Sequence, residues 1–473
     1  MTEVTNKKMW SGRFREPLDP AFERWQRSFD FDKRLLLHEL AASGAHAHAL
    51  KDAGLLAADE LIAILQGLQE IGTQAAVSPE FLNDPEAEDV HHFVEKKLVA
   101  QIGDIGYKLH SGRSRNEQIA TDLRLYVRTA IDQVRSDLNE FCTALLDRAS
   151  EAGNAAMPAY THLQRAEPVL VAHWLLAYVE MFQRDADRLA DCRDRVNLCP
   201  LGSGAVAGTT LPLNRDAMAK ALGFDGPTAN SIDATSDRDF VIEFCNTLAL
   251  LAAHLSGWAE EMILFSSQEF GFIRLPEAYS TGSSAMPQKR NPDLLELTRG
   301  KAARIIGDAT ALLIARKGLP LAYQKDLQET QEMLYSSADS VVSLLPLVTG
   351  WVRAADFLYG HMATAAQTGY LNAWAAATYL LQRGVPFRIA HEQVGKAVRL
   401  CLEKGCELQD LPLEQLQQVS PAFDVDVYKH LTLDSVLALH DVYGGTAPHR
   451  VQQAIREARR KLESTREGIH AHA

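Results

Sequence analysis

The sequence predicts an all-α protein organised around a bundle of long helices, on three observations. Between Ser114 and about Glu151 the apolar residues Ile119, Leu123, Val127, Ile131, Val134, Leu138, Phe141 and Leu145 recur at steps of three and four, the signature of one buried helix face. Comparable stretches follow at about 167–196, 238–270, 292–315 and 322–357. A helix of about 30 residues is roughly 45 Å long, and five such rods in succession bury their apolar faces most readily against one another. No period-two alternation is sustained anywhere along the chain.

Taken in order, residues 1–112 read as a small N-terminal domain of shorter helices, interrupted by Pro17, Pro20 and Pro85. The first rod opens on a capping box, Ser114-Arg115-Asn116-Glu117, in which serine and glutamate satisfy each other's orphan amides. The rod at 238–270 is apolar nearly all round, with Phe240, Phe244, Leu251, Trp258 and Phe265 among its residues; it needs neighbours on every side, which predicts burial inside an oligomer. The rods make a central domain, 113–364. After it the pattern shortens again, punctuated by RGVP, DLP and YGGTAP, into a C-terminal domain, 365–473.

Composition narrows the partner. An apolar fraction of 47% over 473 residues suits a globular protein with a large core. The net charge of −13 and the lack of a Lys/Arg-rich run speak against nucleic acid or an acidic membrane surface, leaving a small molecule. MTEVTNKKMW lacks a secretory pattern, and no apolar stretch reads as long enough to span a bilayer, so a cytoplasmic location is expected. Six cysteines at 142, 192, 199, 245, 401 and 406 form no metal-binding or disulfide spacing. They read as buried thiols, with no metal and no cofactor.

Chemistry-bearing residues collect where rods meet: HSGRSRNEQ at 110–118, AYTHLQRAEP at 159–168, LGSGAVAGTT at 201–210, TGSSAMPQKRNP at 281–292, and YQKDLQE at 323–329. In the fourth of these, Asn291-Pro292 reads as a helix N-cap followed by the first helical residue, which brings the loop to the positive end of a helix. Arg113, Arg115, Asn116, Lys289 and Asn291 together offer donors for carboxylates. The ligand these residues suit is a polycarboxylate.

These stretches also carry a resemblance. GSSAMPQKRNP is similar to the signature loop of the fumarase/aspartase superfamily. Within it MWSGRF at 9–14, GRSRNEQ, YTHLQRAEP, YQKDLQE, RGVPFRIAHEQVGKAV at 383–398 and YGGTAPHRV at 443–451 resemble the argininosuccinate lyases. The resemblance spans residues 9–451 and implies a three-domain, all-helical homotetramer, with three subunits building each active site. It also implies the reversible cleavage of argininosuccinate to arginine and fumarate.

By the same resemblance Ser283 is the base, His162 protonates the leaving guanidine, Glu296 orients His162, and Lys289 steadies the aci-carboxylate; which of Ser283 and His162 is acid and which base stays open. Ser28, Arg115, Asn116, Thr161, Asn291, Tyr323 and Gln328 are implied in substrate binding. Gly282 would let the loop close as a lid, and His91, in EDVHH, lies in a similarly placed family motif. Two departures stand out: Gln331 occupies a position where the family usually has Lys, and Arg290 replaces the commoner Lys of the loop. The alternatives are another fumarate-releasing lyase, adenylosuccinate lyase first, and a non-catalytic structural protein like the δ-crystallins.

Overall fold

The structure, a computed structural model, describes residues 16–472, so the MWSGRF stretch at 9–14 lies outside the described residues. Six long helices dominate: α1 (Arg115–Ala152), α2 (Val171–Val196), α3 (Asp239–Ser266), α4 (Asp293–Arg316), α5 (Glu329–Ala354) and α6 (Pro448–His472). Among the described residues, eight short strands make four two-stranded pairings. These are β1 (Ala156–Thr161) with β2 (Gln164–Leu170), β3 (Leu198–Cys199) with β4 (Gly226–Pro227), β5 (Ile273–Arg274) with β8 (Asp356–Phe357), and β6 (Thr281–Gly282) with β7 (Arg290–Asn291). The fold class is all-α, as the spacing predicted.

Three boundaries depart from the sequence reading. Residues 167–170 belong to β2 rather than to the helix after it, 322–328 precede α5 as a loop and a short 3-10 turn, and α3 stops at Ser266. The β1–β2 hairpin was missed because its strands offer little period-two contrast: β1 is buried at Ala156, Met157 and Pro158 in succession. Its register also slips between Pro158 and Tyr160, which breaks any alternation.

The chain divides into two compact units, and the division falls within all five of α1–α5. The first unit takes residues up to 129, 193–242 and 312–335. Its N-terminal helices, Leu36–Asp52, Ala58–Val77 and Val90–Ile102, bury Leu50, Ile64, Leu68, Ile71, Phe93 and Leu98. Phe29 stacks on Phe93 at 4.9 Å. Here the 110–118 and 201–210 junctions are locked together. Glu117 accepts the Ser114 amide at 3.1 Å with one oxygen and the Gly204 amide at 2.7 Å with the other, so the predicted cap also ties two loops. Gly112 has φ +72, and a Cβ there would meet the Leu211 side chain at 2.3 Å; only glycine fits.

The second unit takes 130–192, 243–311 and 336 onward. Four of its helices meet through rings set edge to face: Phe141 of α1 lies 5.0 Å from Phe182 of α2 and 5.3 Å from Trp258 of α3, and Trp258 lies 5.5 Å from Trp351 of α5. That geometry favours aromatic pairs beyond the area they bury. By length and composition α3 is able to cross a membrane, which corrects the sequence expectation on that point. Its Phe244, Leu248, Leu251, Leu255 and Trp258 are nonetheless buried within the chain, so it serves as a core helix. Beyond 365, Leu380, Val394, Cys401, Phe423 and Val427 form a separate apolar cluster. All six cysteines are free; five are buried as expected, and Cys406 is half-buried.

Candidate active site

Within the first unit the structure brings together most of the predicted binding residues. Ser28 donates from Oγ to Asp32 at 2.6 Å, and its amide reaches the Glu88 carbonyl at 2.9 Å. Asp32 in turn accepts the Val90 amide at 3.0 Å; burial and the neighbouring Asp89 push its carboxyl up to about 7. Asp89 caps the helix Val90–Ile102 by accepting the His92 amide at 2.7 Å and holds Arg115 at 3.1 Å. Burial alone would raise the Asp89 carboxyl, but Arg115, His91 and that amide outweigh it and hold it below the usual range.

Gln328 donates to the Gln26 carbonyl at 3.2 Å. Tyr323 follows Ala322, whose φ of +66 is rare for a residue with a Cβ and marks backbone strain of the kind found at functional sites. Burial raises the Tyr323 phenol while Arg238 pulls it back. Asn116 uses its amide on the Ser114 hydroxyl at 3.3 Å, which leaves its half-buried side chain to other work. Gln331 is buried and accepts the Tyr335 hydroxyl at 3.2 Å.

The sequence reading missed Arg238. It is fully buried and donates to the Asp237 carbonyl at 2.7 Å, with Nε and Nη2 left without acceptors. Burial pushes its pKa down to about 10, with Tyr323 acting against the fall. A guanidinium with orphaned donors in a desolvated place suits an incoming anion. Its only signal in the sequence was the polar run SDRD before an apolar rod, which reads equally well as a helix start.

The second unit holds the predicted catalytic residues, His162 on one hairpin turn, Ser283 and Lys289 on another, and Glu296 at the start of α4. Thr161 pairs with Gln164 across a two-residue hairpin turn made by His162 (φ +56) and Leu163 (φ +57). Two consecutive positive φ values define a type I′ turn, a conformation that normally selects Asn or Gly. Here it carries an exposed imidazole. Tyr160 anchors the hairpin against Phe265, Phe270 and Phe272, and Arg165 donates to the Ala365 carbonyl and to Thr368.

The 281–292 loop is itself a hairpin, closed by Thr281↔Asn291 and Gly282↔Arg290 pairing. Asp293 accepts from both the amide and the hydroxyl of Thr281, and Arg290 ties the base to the Leu275 carbonyl and Glu277 at 2.7 Å each. Ser283 Oγ accepts two amides, Ala285 at 3.3 Å and Met286 at 3.1 Å. Asn291 is not the N-cap it was expected to be. Pro292 provides the first helical carbonyl, to Leu295 and Glu296, and the Asn291 side chain turns back to Thr281 at 3.3 Å. A carboxylate at the first helical residue already fastens the loop, so the cap moves one residue on.

Lys289, His162 and Glu296 are exposed. Within one chain no hydrogen bond joins His162 to Glu296 or Lys289 to Ser283 among the described residues; the donors on Ser283 are backbone amides.

The comparisons with known proteins agree in direction. The Lyase family profile matches residues 12–307, and the argininosuccinate lyase C-terminal profile matches 370–438. An argininosuccinate lyase of Koribacter versatilis is 57% identical over 98% of this chain and 100% of its own length. One of Acidobacterium capsulatum is also 57% identical, over 96% of this chain and 94% of its own. Among solved structures, a variant of EDDS lyase with bound fumarate superposes with a TM-score of 0.83 at 27% identity, covering 97% of this chain and 93% of that one. The chain belongs to the argininosuccinate lyases, carbon–nitrogen lyases of the fumarase/aspartase superfamily.

Proposed function

We propose that the chain cleaves argininosuccinate reversibly to L-arginine and fumarate, with Ser283 as the base, and that it does so in the cytoplasm as a homotetramer whose active sites draw on three subunits. The observation that carries the catalytic reading is the pair of amides on Ser283 Oγ. A serine hydroxyl is a poor base at neutral pH, and fixed dipoles pointed at its oxygen favour the ionised form. In the forward direction Ser283 Oγ takes the proton from the succinate carbon next to the carboxylate. Negative charge then spreads onto that carboxylate as the aci form. Lys289 and Asn291 meet this charge, supplying donors where it develops. As the C–N bond breaks, the leaving guanidine takes a proton from His162, directly or through water, and Glu296 orients the imidazole.

Ser28, Arg115, Asn116, Thr161, Tyr323 and Gln328 hold the substrate. The wired Asp89–Arg115 pair and the strained backbone before Tyr323 support this assignment. Among the described residues no hydrogen bond joins His162 to Glu296 within one chain, which is what a site completed by other subunits requires. The organisation into 1–112, 113–364 and 365–473 is part of the same proposal, supported by the C-terminal profile falling at 370–438.

The deciding experiment mixes purified protein with argininosuccinate or with adenylosuccinate and follows fumarate release. Turnover of argininosuccinate alone is expected. Cleavage of adenylosuccinate alone moves the chain to the neighbouring lyase activity, and a folded tetramer inert to both supports the crystallin-like alternative.

A further inference from the structure

One imidazole in the first unit lies among three carboxylates, and the reaction just described uses none of those four groups. His91 Nε2 is 3.0 Å from Asp122 Oδ2 and 3.7 Å from Glu39 Oε2, and His91 Nδ1 is 3.8 Å from Asp89 Oδ1. Glu39 and Asp122 are 0% exposed and His91 is 4% exposed. Glu39 Oε1 is held by the Ser43 hydroxyl and by Gln118 Nε2 at 3.1 Å, and Arg113 lies 3.6 Å from it. Glu39 Oε2 and Asp122 Oδ1 are left without donors.

The ligand atoms of Glu39, His91 and Asp122 lie within 4.8 Å of one another, a spacing that suits a metal ion. A proton on His91 is the alternative. Arg113 lies against Glu39, and Arg115 is shared between Asp89 and Glu88, which leaves His91 as the cation facing Asp122. Burial opposes that proton, but the hydrogen bond to Asp122 and the charges of Glu39 and Asp89 outweigh burial and push the imidazole up to about 9. Burial and Glu39 raise Asp122 while His91 lowers it. Within this coupled pair the imidazole keeps the proton, because it faces three carboxylates and Asp122 faces one imidazole.

We propose that Asp122, supported by Glu39, is a positioning residue for Arg115: through the His91 imidazolium it fixes Asp89, and Asp89 fixes the guanidinium that meets a substrate carboxylate. This rests on the reading of Arg115 as a substrate-binding residue. Asp122 and Arg115 stand two turns apart on α1, and the path between them leaves that helix at Asp122 by the 3.0 Å hydrogen bond to His91, crosses to Asp89 by a 3.8 Å charge–charge contact in which His91 Nδ1 makes no hydrogen bond among the described residues, and returns at Arg115 by the 3.1 Å contact from Asp89. With Asp89 pulled from one side by His91 and from the other by Arg115, the guanidinium is aimed before substrate arrives, and preorganisation of this kind lowers the cost of binding.

The test is a double-mutant cycle in the full-length protein, reading kcat and KM for argininosuccinate in Asp122→Asn, Arg115→Lys and the double variant, with metal content measured on the wild type. Asp122→Asn is expected to raise KM about ten-fold with kcat within about three-fold, and to add almost nothing on top of Arg115→Lys. A merely structural Asp122 would instead give effects that multiply with those of Arg115→Lys. That result, an unchanged KM in Asp122→Asn, or stoichiometric divalent metal in the wild type would each overturn the proposal. If Asp122→Asn does not fold, Glu39→Gln serves in the same cycle with the same expectation. A wild-type KM in Arg115→Lys sinks the substrate-binding role of Arg115 itself, a failure separable from that of the path.

Discussion

The two polar clusters of this chain differ in how they are held. In the first unit Ser28, Asp32, Asp89 and Arg115 are buried or half-buried and joined to one another or to helix-start amides at 2.6 to 3.1 Å. In the second, His162 sits exposed on a two-residue turn, Lys289 is exposed, and among the described residues Ser283 Oγ is hydrogen-bonded by two amides of its own loop. A binding group gains by being fixed beforehand, because ordering it later subtracts from affinity. A group that must reach a reacting atom and then release product gains from a support able to move. The contrast implies that substitutions in the first cluster act on KM and those in the second on kcat.

The largest break in that contrast is Ser283→Ala. Removing the hydroxyl takes away the acceptor for Ala285 and Met286 and the base itself, so kcat should fall by at least roughly a thousand-fold. An exposed loop pays little for the change, and the melting temperature should stay within a few degrees. Fumarate release near the wild-type rate would end the assignment. His162→Asn should lower kcat about a hundred-fold, the usual scale of a lost general acid, with KM nearly unchanged. Asparagine tolerates φ near +56, so this variant isolates chemistry from turn geometry. His162→Val, a β-branched residue at the same φ, should lose activity and also destabilise the hairpin, which thermal melting of the two variants side by side would separate.

A smaller effect is expected at the base of the loop. Asp293→Ala frees Thr281 from its clasp and should lower kcat about ten-fold by spreading the positions open to Ser283. Its KM should change less than that of Arg115→Lys. The reverse order would erase the distinction between a fixed binding cluster and a movable catalytic one.

The same distinction governs what the sequence made legible. Helix periodicity carried the rods, because a buried face repeats wherever packing demands it. Half of the capping box was readable too, the Glu117 carboxylate on the Ser114 amide, because it joins neighbours along the chain; Ser114 Oγ takes the Asn116 amide instead of that of Glu117. The hairpin around His162 was not: its first strand is buried at three successive residues, its register slips between Pro158 and Tyr160, and its turn uses His and Leu where the conformation favours Asn or Gly. Arg238 and the Glu39–His91–Asp122 group were hidden for another reason. Their roles come from desolvation and from partners 31 to 52 positions away or farther, which one-dimensional spacing does not express. Asn291 shows the opposite error, in which a local rule was overruled because Asp293 was already committed to Thr281.

The smallest expected effect concerns stability, and it tests whether the first unit is as tightly closed as its hydrogen bonds imply. His46 is 1% exposed, with Nε2 at 2.9 Å from the Ser111 carbonyl. Burial, and next the charge of Arg113, push its pKa down to about 3, whereas an exposed histidine titrates near 6.5. The folded state therefore keeps His46 neutral through a range in which the unfolded chain takes up a proton. Its contribution is intact above about pH 6.5 and is lost progressively as pH falls toward 3, because the unfolded state then binds more protons. His38 and His110, each pushed down to about 4 chiefly by burial, act in the same direction. Asp32 and His91, raised to about 7 and about 9, act in the opposite direction, so the readout is the difference between two slopes: in denaturant unfolding between pH 7 and 5, His46→Gln, which retains a donor for Ser111, should gain stability relative to the wild type as pH falls. Equal slopes would mean that water reaches His46, and that the closure setting the binding cluster apart from the catalytic turns is looser than its burial indicates.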